Sequence, residues 1–287
     1  MARIAVIGAG AVGGTVAAWL AREHEIALCV RTPLQNLAVD TPLGPLHAEP
    51  AILTDTAGAW PADWILAVTK TYDSDAAARW LPGLMGRGTR VAILQNGVEH
   101  CERFRGKVAD EALLPCIVDI PAERSAPGRI LQRRTGSILV PEGEAGRAFV
   151  ALFAQTPIAV STTDEFTTAA WRKLAINCAG IVNAIALRPA ELANDPGVAE
   201  VMRGLVRECV AVGRAEGADL PDTLPDDIVE HYRAADPQSL NSLHADRLAS
   251  RAMEIDARNG VIVRLGEKHG IDAPLNRALA GLLAAAR

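Results

Sequence analysis

Six residues near the start of the chain, Gly8-Ala9-Gly10-Ala11-Val12-Gly13, follow an apolar run, Arg3 to Ile7, and lead into an alanine-rich one, Val12 to Arg22. A run rich in β-branched residues that stops at glycine reads as a buried strand, and the alanines and leucine beyond it read as a helix. Three glycines in G-x-G-x-x-G order at such a junction do three different jobs. The first makes the tight turn, the second lets backbone approach a ligand, and the third lets helix and strand pack closely. Orphan N–H groups and the dipole at the start of the helix then favour an anion. The expectation is a dinucleotide site whose diphosphate rests on Gly8, Ala9, Gly10, Ala11, Val12 and Gly13.

Glu25 to Val30 reads as the next strand. Enzymes of this kind that bind NAD place an acidic residue at its end for the ribose 2′-hydroxyl. This chain has Val30-Arg31-Thr32 there. A carboxylate would repel a 2′-phosphate, whereas a guanidinium fork pairs with one. Arg31 therefore predicts NADP (NADPH) as the cofactor.

Further short apolar runs, Trp64 to Val68, Val91 to Leu94 and Leu113 to Val118, lack alternation, as strands of a parallel sheet covered on both faces do. Helical stretches at Ser74 to Leu81 and Val98 to Phe104 fall between them, which makes the N-terminal part α/β, a Rossmann doubly wound sheet. Arg129 to Arg133 and Ser137 to Val140 flank a polar Arg134-Thr135-Gly136 and read as an edge hairpin. Ala145 to Ala154 reads as a helix and Ile158 to Val160 as a last strand. Beyond Glu165 the strand signal disappears, and Phe166 to Leu187, Val198 to Glu216, Leu224 to Ala234, Ala245 to His269 and Leu275 to Ala286 read as helices with prolines at their margins. The expected division is an NADP-binding Rossmann domain over residues 1–164 and a C-terminal all-helical substrate and catalytic domain over 165–287.

Composition matters chiefly for what it excludes. Charged residues are 22% of the chain, the formal net charge is -5, and no lysine or arginine block occurs, so nothing here would neutralise a nucleic-acid backbone. The five cysteines are scattered and form no C-x-x-C pair, which reads as free thiols in a reducing compartment. The six histidines show no ligand spacing, and no metal site is expected. Ile4 to Ala21 carries no charge, but its four glycines make it a poor membrane span or leader. The chain reads as untargeted and cytoplasmic, with no membrane partner.

The helical part opens with Trp171-Arg172-Lys173-Leu174-Ala175-Ile176-Asn177, where Lys173 and Asn177 lie four apart and so on one helix face. A lysine in so apolar a segment either snorkels to water or is held in a cleft. With this segment the chain resembles the ketopantoate reductase (2-dehydropantoate 2-reductase) family over nearly its whole length. Val68-Thr69-Lys70, Leu94-Gln95-Asn96-Gly97, Glu254-Ile255-Asp256 with Asn259-Gly260, and Gly270-Ile271-Asp272-Ala273-Pro274 are similar to that family's remaining elements, in order. The resemblance implies a small 2-oxo acid as partner and Lys173 as proton donor. It implies substrate binding by Asn96, Lys173, Asn177 and Ser242, and cofactor binding by Lys70, Asn96 and Glu254. Where the family commonly has a second asparagine one turn beyond Asn177, this chain has Ile181. The expected activity is NADPH-dependent reduction of 2-dehydropantoate to pantoate. A related reductase or D-2-hydroxyacid dehydrogenase for a different branched or apolar 2-oxo acid is the alternative, and a homodimer is compatible with these letters.

Overall fold

The structure is a computed structural model that describes residues 1–286. The chain divides into two compact units, Met1–Phe166 and Thr167–Arg287. In the first, β1 (Arg3–Ile7), α1 (Ala11–Leu20) and β2 (Glu25–Cys29) are followed by three short strands, β3 (Leu37–Thr41), β4 (Gly44–Ala48) and β5 (Ala51–Leu53). Next come β6 (Trp64–Ala67), α2 (Ser74–Ala78), α3 (Leu81–Leu84), β7 (Arg90–Ile93), β8 (Leu113–Pro115), β9 (Ile117–Asp119), β10 (Ala122–Ala126), β11 (Arg129–Gln132), β12 (Ser137–Pro141), α4 (Glu144–Leu152) and β13 (Ala159–Thr163).

Six strands form a parallel sheet in the order β5-β2-β1-β6-β7-β8. Strand order runs outward in both directions from β1 and β6, the doubly wound pattern expected from the sequence. Its unalternating strands follow from burial on both faces. Ile4, Val6, Ile26, Leu28, Trp64, Leu66 and Ala92 belong to one core, while Ala5, Ile7, Cys29, Ile65, Ala67, Val91 and Ile93 belong to a second on the opposite face. A strand caught between two cores has no polar side to show.

The remaining strands lie in two smaller sheets, ordered β10-β11-β3-β4 and β13-β12-β9. This corrects the edge hairpin read at Arg129 to Val140. β11 pairs antiparallel with β10 and parallel with β3, whereas β12 pairs with β9 and β13. Arg134-Thr135-Gly136 carries the chain from one sheet to the other. Gly136 has a φ of +78°, and a Cβ there would lie 2.5 Å from the Asp119 carbonyl oxygen, so a glycine is required. Leu113 to Val118 is two strands of different sheets. Val98 to Phe104 is not a helix either: Phe104 N–H donates to Cys101 O at 3.0 Å and Lys107 N–H to Phe104 O at 3.0 Å, turns that close over three residues. Val98, Cys101 and Phe104 recur at that spacing, which also mimics one helical face.

The second unit consists of α5 (Phe166–Ala179), α6 (Ile181–Ala186), α7 (Pro196–Ala215), α8 (Leu224–Ala234), α9 (Ser242–Leu248), α10 (Val261–His269) and α11 (Pro274–Ala285), with a π-helical turn at Asp256–Gly260. Two helices expected as continuous are interrupted. Phe166 to Leu187 breaks at Gly180, where a Cβ would lie 2.3 Å from the Tyr232 hydroxyl oxygen and 2.7 Å from Asn241 Nδ2. Both side chains bond the end of α5: Tyr232 Oη donates to Ile176 O at 2.9 Å and Asn241 Nδ2 to Gly180 O at 2.9 Å. Ala245 to His269 breaks after Leu248. There the buried Asp246 holds Arg251 through its side chain and its carbonyl, and Ser250 takes a φ of +51°. No proline or glycine announces that break.

Among the described residues, no helix is long and apolar enough to cross a membrane. All five cysteines are free, and only Cys101 is not fully buried. Burial pushes the Cys29 thiol up to about 12 and raises those of Cys101, Cys116 and Cys209. Thiolate is the reactive form. A thiol titration with an aromatic disulfide reagent should therefore label Cys101 alone, and slowly, in the native protein, and all five cysteines in guanidinium. Rapid native labelling of several thiols would contradict this packing.

Candidate active site

The first site is built from the carboxyl ends of the central parallel strands. β1 ends at Gly8, whose φ of +104° turns the chain sharply; a Cβ there would lie 3.1 Å from Thr69, just past β6. Gly13 faces the same turn from inside α1, and a Cβ on it would fall 2.0 Å from the Gly8 carbonyl oxygen. No real Cβ survives that distance, so the strand and helix can cross this closely only through glycine. Gly14 does a related job, since a Cβ there would strike Ile130 of β11 at 2.3 Å. The Trp19 indole N–H completes the seat of α1 on β11 by donating to Gln132 Oε1 at 2.9 Å.

Gly10 differs from these three, because a Cβ on it would meet nothing within 4 Å. The internal fold does not need a glycine there, and the space it leaves lies at the first turn of α1. Gly10 is the N-cap of that helix, no side chain caps it, and no acidic residue lies in the first turn. The first amides of α1 are thus available to an anion. This donor set suits a diphosphate.

The other predicted residues of this unit stand at the same edge of the sheet. Arg31 follows β2 with its side chain 83% exposed and forms an ion pair to Asp73 at 3.5 Å. Lys70 and Asn96 follow β6 and β7 and are half-buried. The loops carrying them are tied together by the buried Gln95, whose Nε2 donates to Thr69 Oγ1 at 2.9 Å. Gly8, Arg31, Lys70 and Asn96 come from four successive positions across the sheet and meet at its carboxyl edge. Ligands bind there, at the point where strand order reverses, in sheets of this type.

The second unit carries the remaining candidates. Lys173 and Asn177 share one half-buried face of α5, between the buried Trp171, Leu174, Ala175 and Cys178. Ser242 is exposed in the first turn of α9, and Glu254 is buried in the irregular stretch before the π turn. The sequence pattern also included Asn259, but its amide is structural: Nδ2 donates to Cys178 O at 3.1 Å and to Asn276 Oδ1 at 2.8 Å, fixing the start of α10 to α5. Asn183 likewise ties down the turn that follows its own helix, donating to Arg188 O and Pro189 O at 3.1 and 2.8 Å. Ile181 is fully buried at the start of α6.

Two further residues lie near Ser242: Arg258, which motif reading passed over, and His244, which the sequence places two residues beyond that serine. Arg258, 2% exposed on the π turn, donates through Nη2 to Ser242 Oγ at 2.6 Å. His244 is buried on α9 with neither ring nitrogen hydrogen-bonded among the described residues. Burial first, and the nearby Arg247 second, hold its pKa below the ordinary value, which keeps the ring neutral at physiological pH. Among the described residues, no cluster of three His, Cys, Asp or Glu side chains could hold a metal ion.

Residues 4–145 match the family described as Ketopantoate reductase PanE/ApbA, and residues 165–287 match Ketopantoate reductase PanE/ApbA C terminal. A 2-dehydropantoate 2-reductase of Caulobacter vibrioides is 62% identical over 288 residues, spanning 100% of this chain and 99% of that one. A 2-dehydropantoate 2-reductase of Mycobacterium tuberculosis is 38% identical over 291 residues, 99% of this chain and 97% of its own. In three dimensions, a PanE/ApbA family ketopantoate reductase from Ralstonia eutropha JMP134 superposes with a TM-score of 0.89 at 31% identity, covering 98% of this chain and 97% of that one. The class defined by this fold and site is the dehydrogenase-type reductases, which use a nicotinamide cofactor. Within that class, the chain belongs to the ketopantoate reductase PanE/ApbA family.

The glycine turn permits a paired test. Gly13→Ala should lower the melting temperature by several degrees, since even about 1 kcal/mol shifts it by about 2–4 °C in a chain of this size. Gly10→Ala should leave it unchanged. Both variants should weaken NADPH binding by about tenfold or more, read by fluorescence titration, because the second glycine serves backbone approach to the pyrophosphate. Normal NADPH affinity in Gly10→Ala would remove the diphosphate from this turn.

Proposed function

We propose that the protein reduces 2-dehydropantoate (ketopantoate) to pantoate with NADPH, and that Lys173 is the proton donor. The observation that carries this reading is the 62% identity, from end to end, to a 2-dehydropantoate 2-reductase. The carboxyl-edge cluster around Gly8–Gly13 supports the cofactor, and Arg31 supports its phosphorylated form: an exposed guanidinium with one long ion pair is open to a bidentate phosphate.

NADPH, when bound, supplies a hydride to the C2 carbonyl carbon of the acid. As negative charge grows on the carbonyl oxygen, the Lys173 ammonium donates a hydrogen bond to it and then its proton, leaving a secondary alcohol. General-acid catalysis of this kind contributes about 10² to 10⁴-fold, and the cationic group stabilises the developing alkoxide before the proton moves. Asn177, one turn further along α5, holds the substrate by neutral donor–acceptor pairing. The Ser242 hydroxyl bonds the carboxylate, and Asn96 orients substrate and nicotinamide. Lys70 would contact the cofactor, and Glu254 would accept from its ribose and help position the ammonium.

This reading places the enzyme in the cytoplasm with a small 2-oxo acid as its partner, and a homodimer is compatible with it. The alternative substrate, another branched or apolar 2-oxo acid, is supported by Ile181 alone, which offers no polar atom where the family pattern has an asparagine. A panel of 2-oxo acids assayed with NADPH separates the two.

Lys173→Ala should lower turnover by at least about a hundredfold, in keeping with the loss of a general acid, while NADPH still binds. Turnover within a few-fold of the parent enzyme would take the lysine out of the chemistry.

A further inference from the structure

Arg258 is an arginine in an unusual position. It sits on the π-helical turn Asp256–Gly260, is 2% exposed, and donates through Nη2 to Ser242 Oγ at 2.6 Å. Its Nε and Nη1 are buried with no hydrogen-bond partner among the described residues. A guanidinium keeps its charge at any physiological pH. Burying one with two unsatisfied donor nitrogens is costly, and packing alone would be served better by an apolar side chain. The nearby Tyr232 offers no relief, since neither Nε nor Nη1 makes a hydrogen bond to its hydroxyl oxygen. Single π-helical turns within α-helical segments occur frequently at functional sites.

The one bond Arg258 does make has a directional effect. A serine hydroxyl holds one proton and two lone pairs. Arg258 fills a lone pair from the buried side, and Ser242 is exposed on the other. A guanidinium has no acceptor, so the Ser242 proton is not taken by Arg258 and is free to be donated outward. A fixed positive charge directly behind it, in a low-dielectric interior, favours an anionic acceptor over a neutral one. We propose that Arg258 is a positioning residue that sets the Ser242 hydroxyl to donate to the substrate carboxylate and makes this subsite selective for an anion. The proposal rests on the functional reading above, in which Ser242 binds that carboxylate.

The test compares pantoate with its neutral lactone, measured by calorimetry on the full chain and its Arg258→Met, Arg258→Lys and Ser242→Ala variants. The parent protein should prefer pantoate. Arg258→Met should weaken pantoate by about thirtyfold, the range of a hydrogen bond to a charged group, and weaken the lactone by less than about threefold. Arg258→Lys, which keeps the charge without the fork, should fall between them. In a Ser242→Ala background the methionine change should cost far less, since the two side chains act as one unit. Equal loss of pantoate and lactone, no loss of either, or additive effects in the double variant would overturn the proposal. If the methionine variant does not fold, the lysine variant carries the test, and it must lose pantoate selectively. Arg258-dependent pantoate binding by a protein that never consumes NADPH would sink the activity and keep the subsite. Reduction of 2-dehydropantoate that is indifferent to Arg258 would sink the subsite alone.

Discussion

The crossing of β1 and α1 depends on one contact between two glycines. Gly13 brings α1 against the Gly8 carbonyl so closely that a methyl group would sit 2.0 Å from the oxygen. That approach, with the positive φ of Gly8, brings the first turn of the helix to the carboxyl edge of the sheet. It also seats α1 on β11, where Gly14 and the Trp19–Gln132 bond hold it. Open amides at the start of α1, the loops bearing Lys70 and Asn96, and Arg31 at the end of β2 then share one edge. The strained turn costs backbone freedom, and the two cores on either face of the sheet supply the compensating burial.

The helical unit solves a different problem, which is to hold polar groups inside helices packed too closely for side chains at some points. Gly180 lets Tyr232 and Asn241 reach the end of α5. Asn241 also accepts from the His244 amide at 3.0 Å as the cap of α9, so one side chain links the end of α5 to the helix that carries Ser242. Asn259 and Asn276 fix the start of α10 to the same helix. The C-terminal end of α5, which carries Asn177, is thereby tied to α8, the cap of α9 and the π turn. Under the proposed function, in which Lys173 is the proton donor, such anchoring matters because small displacements cost activity in catalysis by orientation.

Legibility in the sequence followed the length scale of the governing interaction. The central strands were legible as short unalternating apolar runs and α1 as the alanine-rich run after the glycine turn, while α7 and α8 bury one face with a period that the letters show. The four-stranded sheet was not legible. β4 contains Pro45 and is mostly exposed, and Pro within a run argues against a strand. The breaks at Gly180 and after Leu248 are set by tertiary contacts from Tyr232, Asn241 and Asp246, which local pattern cannot encode. At the candidate site, the glycine turn was legible as a strand–turn–helix junction, whereas the Lys173 segment was singled out by its resemblance to a family and not by spacing. Arg258 was not legible, because a lone arginine between Ala257 and Asn259 looks like any solvent-facing charge until the fold buries it beneath Ser242.

On the function proposed above, the glycine turn binds the nucleotide and Lys173 supplies the proton for reduction of one particular 2-oxo acid. The most direct measurement is the pantoate formed, by mass spectrometry, against cofactor consumed, by absorbance, when the purified protein meets 2-dehydropantoate with either NADPH or NADH. The account predicts one pantoate for each NADPH consumed and a rate with NADH lower by about tenfold or more, the worth of a charge-assisted contact from Arg31. No pantoate with either cofactor, or equal rates with both, would contradict it.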